Sequence, residues 1–190
     1  GGSTPYMIHQ PLMIDDIKFK DFPVGLMSIY NQPNMLKERI ACNGLFGLAM
    51  IENSHLGQYS PLNALLDKVT TKTILLDFKN KKMIVGSDIN KNDYHFKGKM
   101  DYNSDLMRMD VWIKYNNRKE KILIDTGTLY SQFYKTGQIN LQGVDENNSF
   151  GKLALQDAKI LPYELVGHKP LIVGYNDLYK GTLFIDYVTN

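Results

Sequence analysis

One short stretch, residues 121–128, constrains the fold and function of this chain more than any other. It reads Lys-Ile-Leu-Ile-Asp-Thr-Gly-Thr, and its three consecutive apolar residues predict a short buried strand. The strand runs directly into Asp125, Thr126 and Gly127. Burying an unpaired carboxylate costs roughly several kcal/mol, so an acid in this position indicates a task or a partner. Gly127 permits a sharp turn or a positive φ, which would let backbone amides and a neighbouring hydroxyl face the carboxylate.

Composition narrows the function classes. The chain has 190 residues, 43% of them hydrophobic and 22% charged, which suits a globular protein of one domain or two small lobes. A formal net charge of +2 gives no electrostatic reason to expect nucleic acid or an anionic membrane as partner. No segment approaches the ~20 apolar residues of a membrane span, and no targeting signal is visible. Cys42 is the single cysteine, so a disulfide within the chain is excluded and a buried inert thiol is expected.

Short apolar runs between turn signals predict a mainly β protein. Residues 73–78 and 83–85 flank a lysine-rich turn and predict one hairpin. Residues 109–115 and 119–124 predict a second hairpin, which ends on the strand that carries Asp125. The solvated turn explains the lysine cluster at 79–82 better than a phosphate site does.

Helical signals are few. Residues 60–68 predict a helix, with Ser60 as N-cap and Pro61 at the first helical position. A second short helix is expected near residues 175–179. The alternating run at 17–20 predicts a strand that is broken at Asp21-Phe22-Pro23.

The pattern hydrophobic-hydrophobic-Asp-Thr-Gly-Thr resembles the active-site loop of the pepsin/retropepsin aspartic proteases. In that family a hydrophobic-hydrophobic-Gly segment lies beside the loop within each lobe. Two segments, Leu45-Phe46-Gly47 and Ile172-Val173-Gly174, resemble it. The resemblance covers nearly the whole chain and is closest to the compact bacterial retropepsin-like members, although the spacer at 48–72 is longer than its counterpart.

An internal repeat supports the resemblance. Each half of the chain reads strand, apolar-apolar-Gly, helix-like spacer, and an apolar strand closing on Asp plus an aromatic residue. The closing strands lie at 73–78 and 182–187, and we interpret their acids, Asp77 and Asp186, as structural. The resemblance implies a mainly β, two-lobed pepsin/retropepsin-like acid protease fold with few short helices.

That fold divides the chain into three parts. Residues 1–86 would be the remainder of a first lobe, and residues 106–190 a second lobe carrying the Asp-Thr-Gly loop. Residues 87–105 would form the linker, in which Tyr94-His95-Phe96 are expected to form a short strand.

The resemblance also assigns roles within the loop. Asp125 would be catalytic, and Gly127 conformational. Thr126 would brace the two loops across the lobe interface, and Thr128 would hydrogen-bond the catalytic carboxylate. The plain alternatives are a structural acid satisfied by turn amides at Asp125, a turn residue at Thr126 and a solvent-facing strand threonine at Thr128.

A substrate-covering hairpin would fall at residues 143–151. Phe150 would then touch substrate, although an ordinary exposed loop is the favoured interpretation of this segment.

Aspartic proteolysis needs two carboxylates too close together for both to ionise, so that one polarises the scissile carbonyl and the other deprotonates water. Asp125 supplies one. If the other acid precedes Gly47 by the same number of residues as Asp125 precedes Gly174, it falls just before Gly1. Gly1-Gly2-Ser3-Thr4 is then the tail of a first loop or, equally, an artificial leader. The second acid would come from an upstream segment kept as a small separate chain or from a second copy of this chain; otherwise it is lost and the protein inactive.

Two functions follow as hypotheses. The first is an aspartic endopeptidase without metal or cofactor, which cleaves extended peptides or protein substrates. The second is a non-catalytic peptide- or protein-binding module that keeps the same fold. The chain has no His-Glu-x-x-His, Gly-x-Ser-x-Gly or phosphate-loop motif. An acid-active protease weakly favours a secreted or other extracytoplasmic location, although one cysteine permits any compartment.

Overall fold

A computed structural model of the chain describes residues 6–26, 45–49, 57–88, 94–103, 108–115, 117–133, 139–145, 148–155, 159–160 and 171–187. Within these ranges the protein is mainly β, as predicted, with several sheets and a short α-helix. Its contacts divide the chain into one unit of residues 1–69 and another of residues 70–190. The three-part division into lobes and linker stays a prediction. Cys42 lies outside the described residues.

The first unit contains a long antiparallel hairpin. β1 (Tyr6–Ile14) pairs with β2 (Ile17–Leu26) around a turn at Asp15, whose φ is 55°. The predicted break at residues 21–23 is wrong, because β2 continues through Pro23. In a two-stranded sheet each strand has one edge outside the ladder, so a residue without an N–H is tolerated there.

The predicted helix follows in the same unit as α1 (Pro61–Leu66). Ser60 is its N-cap, since its Oγ accepts the Asn63 backbone N–H at 3.2 Å, and Pro61 opens the first turn. The helix contacts β2. Among the described residues of this unit, the buried apolar side chains come from these two elements: Phe19, Phe22, Pro23, Leu62, Leu65 and Leu66.

The second unit contains two sheets, of which the smaller has three strands in the order β13-β3-β4. β3 (Thr73–Asp77) and β4 (Lys82–Val85) form the first predicted hairpin, and β13 (Thr182–Asp186) pairs antiparallel with β3. The two closing strands of the sequence repeat therefore pair with each other. Leu75 and Phe184, which are equivalent in the repeat, lie directly opposite at the centre, so these strands are related by a local twofold axis.

The larger sheet has the order β10-β9-β6-β7-β12-β8-β11, with β5 paired to part of β6. Its strands are β5 (Met100–Asn103), β6 (Arg108–Tyr115), β7 (Arg118–Asp125), β8 (Gln132–Phe133), β9 (Ile139–Asp145), β10 (Asn148–Leu155), β11 (Lys159–Ile160) and β12 (Leu171–Gly174). β6 and β7 form the second predicted hairpin. β12 lies between β7, to which it is parallel, and β8, to which it is antiparallel.

Alternation along the central strands separates the core from the opposite face of this sheet. Val111, Ile113 and Tyr115 of β6 point into the core, together with Ile122 of β7. The core is completed by apolar side chains from the other strands: Phe133, Leu141, Leu155, Leu171 and Val173. The strand expected at 94–96 is displaced, because Phe96 makes an isolated bridge while the regular strand in this region is β5.

A buried acid on β6 depends on its neighbour. Asp110 is only 2% exposed, and Arg108 faces it with Nε 2.8 Å from Oδ1 and Nη2 donating to Oδ2 at 3.3 Å. The Nε–Oδ1 approach is an ion pair without hydrogen-bond geometry. Removing one member of such a pair leaves the other charge buried without compensation.

We therefore expect Arg108→Ala to lower the free energy of unfolding by about 3 kcal/mol, measured by urea titration. Arg118→Ala removes the same side chain from an exposed position at the start of β7 and is the matched control. Equal losses in the two variants would contradict the assigned role of Arg108.

The acid that closes β3 organises the following turn. Asp77 accepts the Asn80 side-chain amide at 2.7 Å and the Asn80 backbone N–H at 3.1 Å. These two bonds, with a smaller contribution from Lys82, hold the pKa of the Asp77 carboxyl below its ordinary value of 3.8. The structural interpretation of Asp77 fits these contacts. Asp186, its repeat counterpart, lies opposite Thr73 in the ladder.

This shift makes stability depend on acid pH. Because the folded pKa of Asp77 lies below the unfolded one, the carboxylate contributes stability above the unfolded value, which is lost as pH falls through the folded value. Urea titrations from neutral pH downward should therefore show Asp77→Asn less stable than the parent chain at neutral pH, with the difference shrinking below a pH of about 4. Asn80→Ala keeps the carboxylate but removes its side-chain donor, so it should weaken the dependence of stability on pH over the same acid range. A difference that stays constant with pH would contradict this account.

Candidate active site

Asp125 is the last residue of β7, and strand pairing fixes its backbone. β12 runs parallel beside β7, with Val173 paired to Ile124 and Gly174 paired to Asp125. The expectation that Ile172-Val173-Gly174 lies beside the Asp-Thr-Gly loop is therefore confirmed. Because Ile122 and Val173 are fully buried, the core holds both strands up to the point where the carboxylate emerges half-buried.

The loop after β7 folds back onto the carboxylate. The Gly127 N–H donates to Asp125 Oδ1 at 2.9 Å, and the Thr128 hydroxyl donates to Oδ2 at 2.8 Å. The Thr128 N–H also donates to the Asp125 carbonyl at 3.2 Å, which closes the turn. The hydrogen bond predicted from Thr128 to the carboxylate is confirmed. With one donor on each oxygen, the carboxylate is held in a fixed orientation while part of it stays open to solvent.

Gly127 serves the turn without a left-handed backbone. The positive-φ glycine among the described residues is Gly86, so of the two options for Gly127 the sharp turn is the one observed. A Cβ at this position would lie 3.2 Å from Asp125 Oδ1, tighter than ordinary van der Waals contact. The glycine thus lets its N–H approach the carboxylate closely.

A glycine is required at position 174, because backbone atoms lie even closer to it than Asp125 Oδ1 lies to Gly127. A Cβ on it would meet three backbone atoms: the Tyr130 carbonyl carbon at 2.7 Å, the Thr128 oxygen at 2.8 Å and the Ser131 nitrogen at 2.9 Å. Backbone atoms cannot swing aside as a side chain can. The absence of a side chain at Gly174 is therefore what lets the segment after the loop pass across the end of β12.

Hydrogen bonds through the buried Ser131 stabilise this crossing. The Gly174 N–H donates to Ser131 Oγ at 2.9 Å, and the Ser131 hydroxyl donates to Asp177 Oδ2 at 2.5 Å. Ser131 is completely buried, so these partners satisfy a hydroxyl that has no access to water. Sequence reasoning missed both Ser131 and Asp177, because they are 46 positions apart and belong to no motif.

The short helix expected near residues 175–179 is present as a 3-10 helix at Tyr175–Asp177. Its backbone reaches the loop directly. The Tyr175 N–H donates to the Thr128 carbonyl at 2.7 Å, and the Asn176 N–H donates to the Leu129 carbonyl at 3.0 Å. The loop that holds Asp125 is thus bound to the end of β12 through two backbone hydrogen bonds.

The remaining predicted site residues are less closely tied to Asp125. Thr126 is half-buried in the turn, and its bracing role across a lobe interface stays a prediction. The described residues of the segment at 143–151 belong to the paired strands β9 and β10, with Phe150 opposite Gly143, so the favoured interpretation of this segment as a loop is wrong. Contact between Phe150 and a substrate stays a prediction.

Leu45-Phe46-Gly47 does not share the surroundings of Ile172-Val173-Gly174. It lies outside helices and strands, and Leu45 is 84% exposed. A Cβ on Gly47 would have no atom within 4 Å, whereas one on Gly174 would meet backbone at three points. The sequence likeness between the two segments is therefore not accompanied by a likeness of local packing.

Two kinds of feature are absent from the described part of the chain. No three His, Cys, Asp or Glu side chains lie together in a way that would hold a metal ion. No helix there is long and apolar enough to cross a membrane. The site chemistry available at Asp125 is that of an oriented carboxylate with hydroxyl and amide donors.

Comparison with known proteins gives no family: no family model, no curated protein and no solved structure matches the chain.

The close approach at Gly174 can be tested by adding one methyl group. We expect Gly174→Ala to lower the free energy of unfolding by about 1–3 kcal/mol, because the new Cβ must displace backbone of residues 128–131. Gly181→Ala is the matched control, since a Cβ there has its nearest contact at 3.9 Å. Urea titrations that give the same stability for both variants would show that the crossing tolerates a side chain.

Proposed function

We propose that this chain is an aspartic endopeptidase in which Asp125 is one of two catalytic aspartates. The observation that carries the proposal is the state of its carboxylate, which is half-buried at the end of a buried strand and held by one donor on each oxygen. A purely structural acid would be satisfied equally well. Asp77, for example, is held in the same way by donors of its own turn. What distinguishes Asp125 is its place beside β12, whose Gly174 packs against the loop as the family resemblance implies.

The chemistry follows from a pair of carboxylates that share a proton. The ionised member removes a proton from water as the water oxygen attacks the scissile carbonyl carbon, while the protonated member donates to the carbonyl oxygen. The tetrahedral intermediate then collapses and the C–N bond breaks: the leaving nitrogen takes up the proton that the carboxylate removed from water, and a hydroxyl of the intermediate returns its proton to the other aspartate. No covalent enzyme intermediate forms, so the protein's task is to orient the carboxylates and the peptide.

Two features of the fold support this assignment. Gly174 packs against the loop that holds Asp125, an arrangement that the family resemblance implies for the second lobe. The pairing of β3 with β13 relates equivalent strands of the sequence repeat by a local twofold, which suits a protein built from two related units. The two-lobed pepsin/retropepsin-like architecture and the roles of Thr126 and Phe150 belong to the same proposal.

The second aspartate has two candidate sources in this proposal. It comes either from an upstream segment of the same precursor, retained as a small associated chain, or from a second copy of this chain. The two differ kinetically. A self-associating enzyme gains specific activity as its concentration rises, whereas an enzyme completed by an upstream segment is active only when that segment is present.

The test is cleavage of an unstructured peptide library at acid pH by the native gene product and by this chain over a range of concentrations. We expect Asp125→Asn to reduce cleavage at least about 100-fold, the scale of losing a general acid–base group. Asp77→Asn is the matched control, because it makes the same change at another strand-end acid and should leave cleavage within about twofold.

The outcomes separate the two functional hypotheses. Cleavage that persists in Asp125→Asn would overturn the assignment of the catalytic residue. Absence of cleavage in every preparation, together with saturable binding of library peptides, would instead favour the non-catalytic peptide- or protein-binding module.

A further inference from the structure

A second carboxylate is connected to the end of β7 by hydrogen bonds, although it lies outside the Asp-Thr-Gly loop. Asp177 closes the 3-10 helix that follows β12, and its Oδ2 accepts the Ser131 hydroxyl at 2.5 Å. Ser131 Oγ in turn accepts the Gly174 N–H at 2.9 Å, and Gly174 is the register partner of Asp125. Asp177 is therefore linked to the strand pair that carries Asp125.

The two neighbours of the Ser131 hydroxyl fix the direction in which it donates. A hydroxyl has one proton and two lone pairs, whereas a carboxylate only accepts and a backbone N–H only donates. The proton of Ser131 therefore points to Asp177, and a lone pair faces the Gly174 N–H. Ser131 is completely buried, so water cannot replace either neighbour. The order of these bonds depends on an acceptor at position 177.

Each residue from Gly174 to Asp177 makes a hydrogen bond to the segment 128–131. The Tyr175 N–H donates to the Thr128 carbonyl at 2.7 Å, and the Asn176 N–H donates to the carbonyl of residue 129 at 3.0 Å. The bonds of Gly174 and Asp177 go through the Ser131 side chain. A substitution at 131 or 177 can therefore remove them without changing the backbone.

Thr128 connects this segment to the carboxylate of Asp125. Its carbonyl accepts the Tyr175 N–H, and its hydroxyl donates to Asp125 Oδ2 at 2.8 Å. Since both groups belong to one residue, a shift of the segment 128–131 moves a donor that orients Asp125. A misplacement of about 1 Å can cost on the order of 100-fold in the rate of a catalysed step.

We propose that Asp177 is a positioning residue for the reaction at Asp125 and acts through Ser131. The inference rests on the proposed peptidase function, because it gives Asp177 a part in orienting the catalytic carboxylate. In this role Asp177 exchanges no proton with the substrate. It keeps the Ser131 hydroxyl directed toward itself, and Ser131 holds the segment from which Thr128 reaches Asp125.

The alternative is that Asp177 and Ser131 only stabilise the fold. Both roles predict a lower free energy of unfolding when either side chain is removed, because a buried polar group then loses its partner. The positioning role alone predicts a change at Asp125 in variants that remain folded. Its tests are therefore made at temperatures where urea titration shows each variant to be folded.

The first test is peptide cleavage at acid pH by the native gene product. We expect Asp177→Ala to lower kcat about 10- to 100-fold and to leave KM within about threefold, since orientation matters most in the transition state. Asp177→Asn keeps an oxygen that can accept the Ser131 hydroxyl and should restore kcat to within about threefold of the parent.

A matched control removes another buried hydroxyl from the same unit. Thr73 is 4% exposed, and its Oγ1 donates to the Ser87 carbonyl at 2.8 Å in the region of the smaller sheet. Thr73→Val should leave kcat within about twofold of the parent, because this hydroxyl has no contact with the loop of Asp125.

The second test requires no cleavage, so it separates a failure of this inference from a failure of the proposed function. The Gly127 N–H donates to Asp125 Oδ1, so its NMR resonance should shift when the Asp125 carboxylate is protonated by acid. We expect Asp177→Ala and Ser131→Ala to lose most of that shift. The Gly86 N–H, which donates to the Thr73 carbonyl at 2.9 Å, is the control resonance and should stay unchanged.

Three results would overturn the proposal. They are a kcat in Asp177→Ala within about threefold of the parent, an equal loss of kcat in Thr73→Val, and a Gly127 resonance that titrates as in the parent in both alanine variants. Ser131→Ala removes the same link from its other end and replaces Asp177→Ala if that variant does not fold. If no preparation cleaves peptides, the proposed function fails, and the Gly127 resonance alone decides whether Asp177 orients Asp125.

Discussion

The insertion of β12 between β7 and β8 is the constraint on which the second unit depends. β12 is parallel to one neighbour and antiparallel to the other, so the chain leaves β7, turns, and crosses the end of β12 before entering β8. That crossing brings backbone to within contact distance of Gly174 and leaves no room for a Cβ. The turn forced by the crossing is the one that aims Gly127 and Thr128 at the Asp125 carboxylate. Topology and site geometry therefore have one cause.

Two sets of hydrogen bonds lie at the crossing. One, through Ser131, supports the backbone, and the other orients the Asp125 carboxylate. Ser131 links the Gly174 N–H to the Asp177 carboxylate, and the serine is completely buried. Asp125 lies on the open side, where its oxygens meet donors of the loop and solvent. Because an unsatisfied buried hydroxyl costs about 1–3 kcal/mol, the two hydrogen bonds of Ser131 oppose distortion of the loop. The buried serine thus supports the backbone of the crossing, while the half-buried Asp125 stays available to a reactant.

Much of this structure could be predicted from local sequence patterns. Apolar runs and turn residues predicted both hairpins, the Ser60 cap and the strand that ends at Asp125. The Thr128 hydrogen bond followed from the loop motif. Ser131 and Asp177 could not be found this way, because their contact depends on how β8 passes β12 rather than on neighbouring residues. The predicted strand break at Pro23 was wrong for a related reason. The effect of a proline depends on whether its edge of the strand pairs with another strand, which the sequence does not show.

The contacts of Lys119 and Lys121 with the Trp112 ring show the same dependence on register. In sequence, Trp112 and Lys121 are 9 positions apart across a turn; only the pairing of β6 with β7 brings them together. A shift of that pairing by one residue would turn Trp112 toward the core and Ile113 toward solvent. The buried side chains of Ile113 and Ile122 oppose such a shift, so the core that holds β7 in place also fixes the charged surface on its other face. One hairpin register thereby determines two separate surfaces, the carboxylate at the end of β7 and the lysines near its beginning.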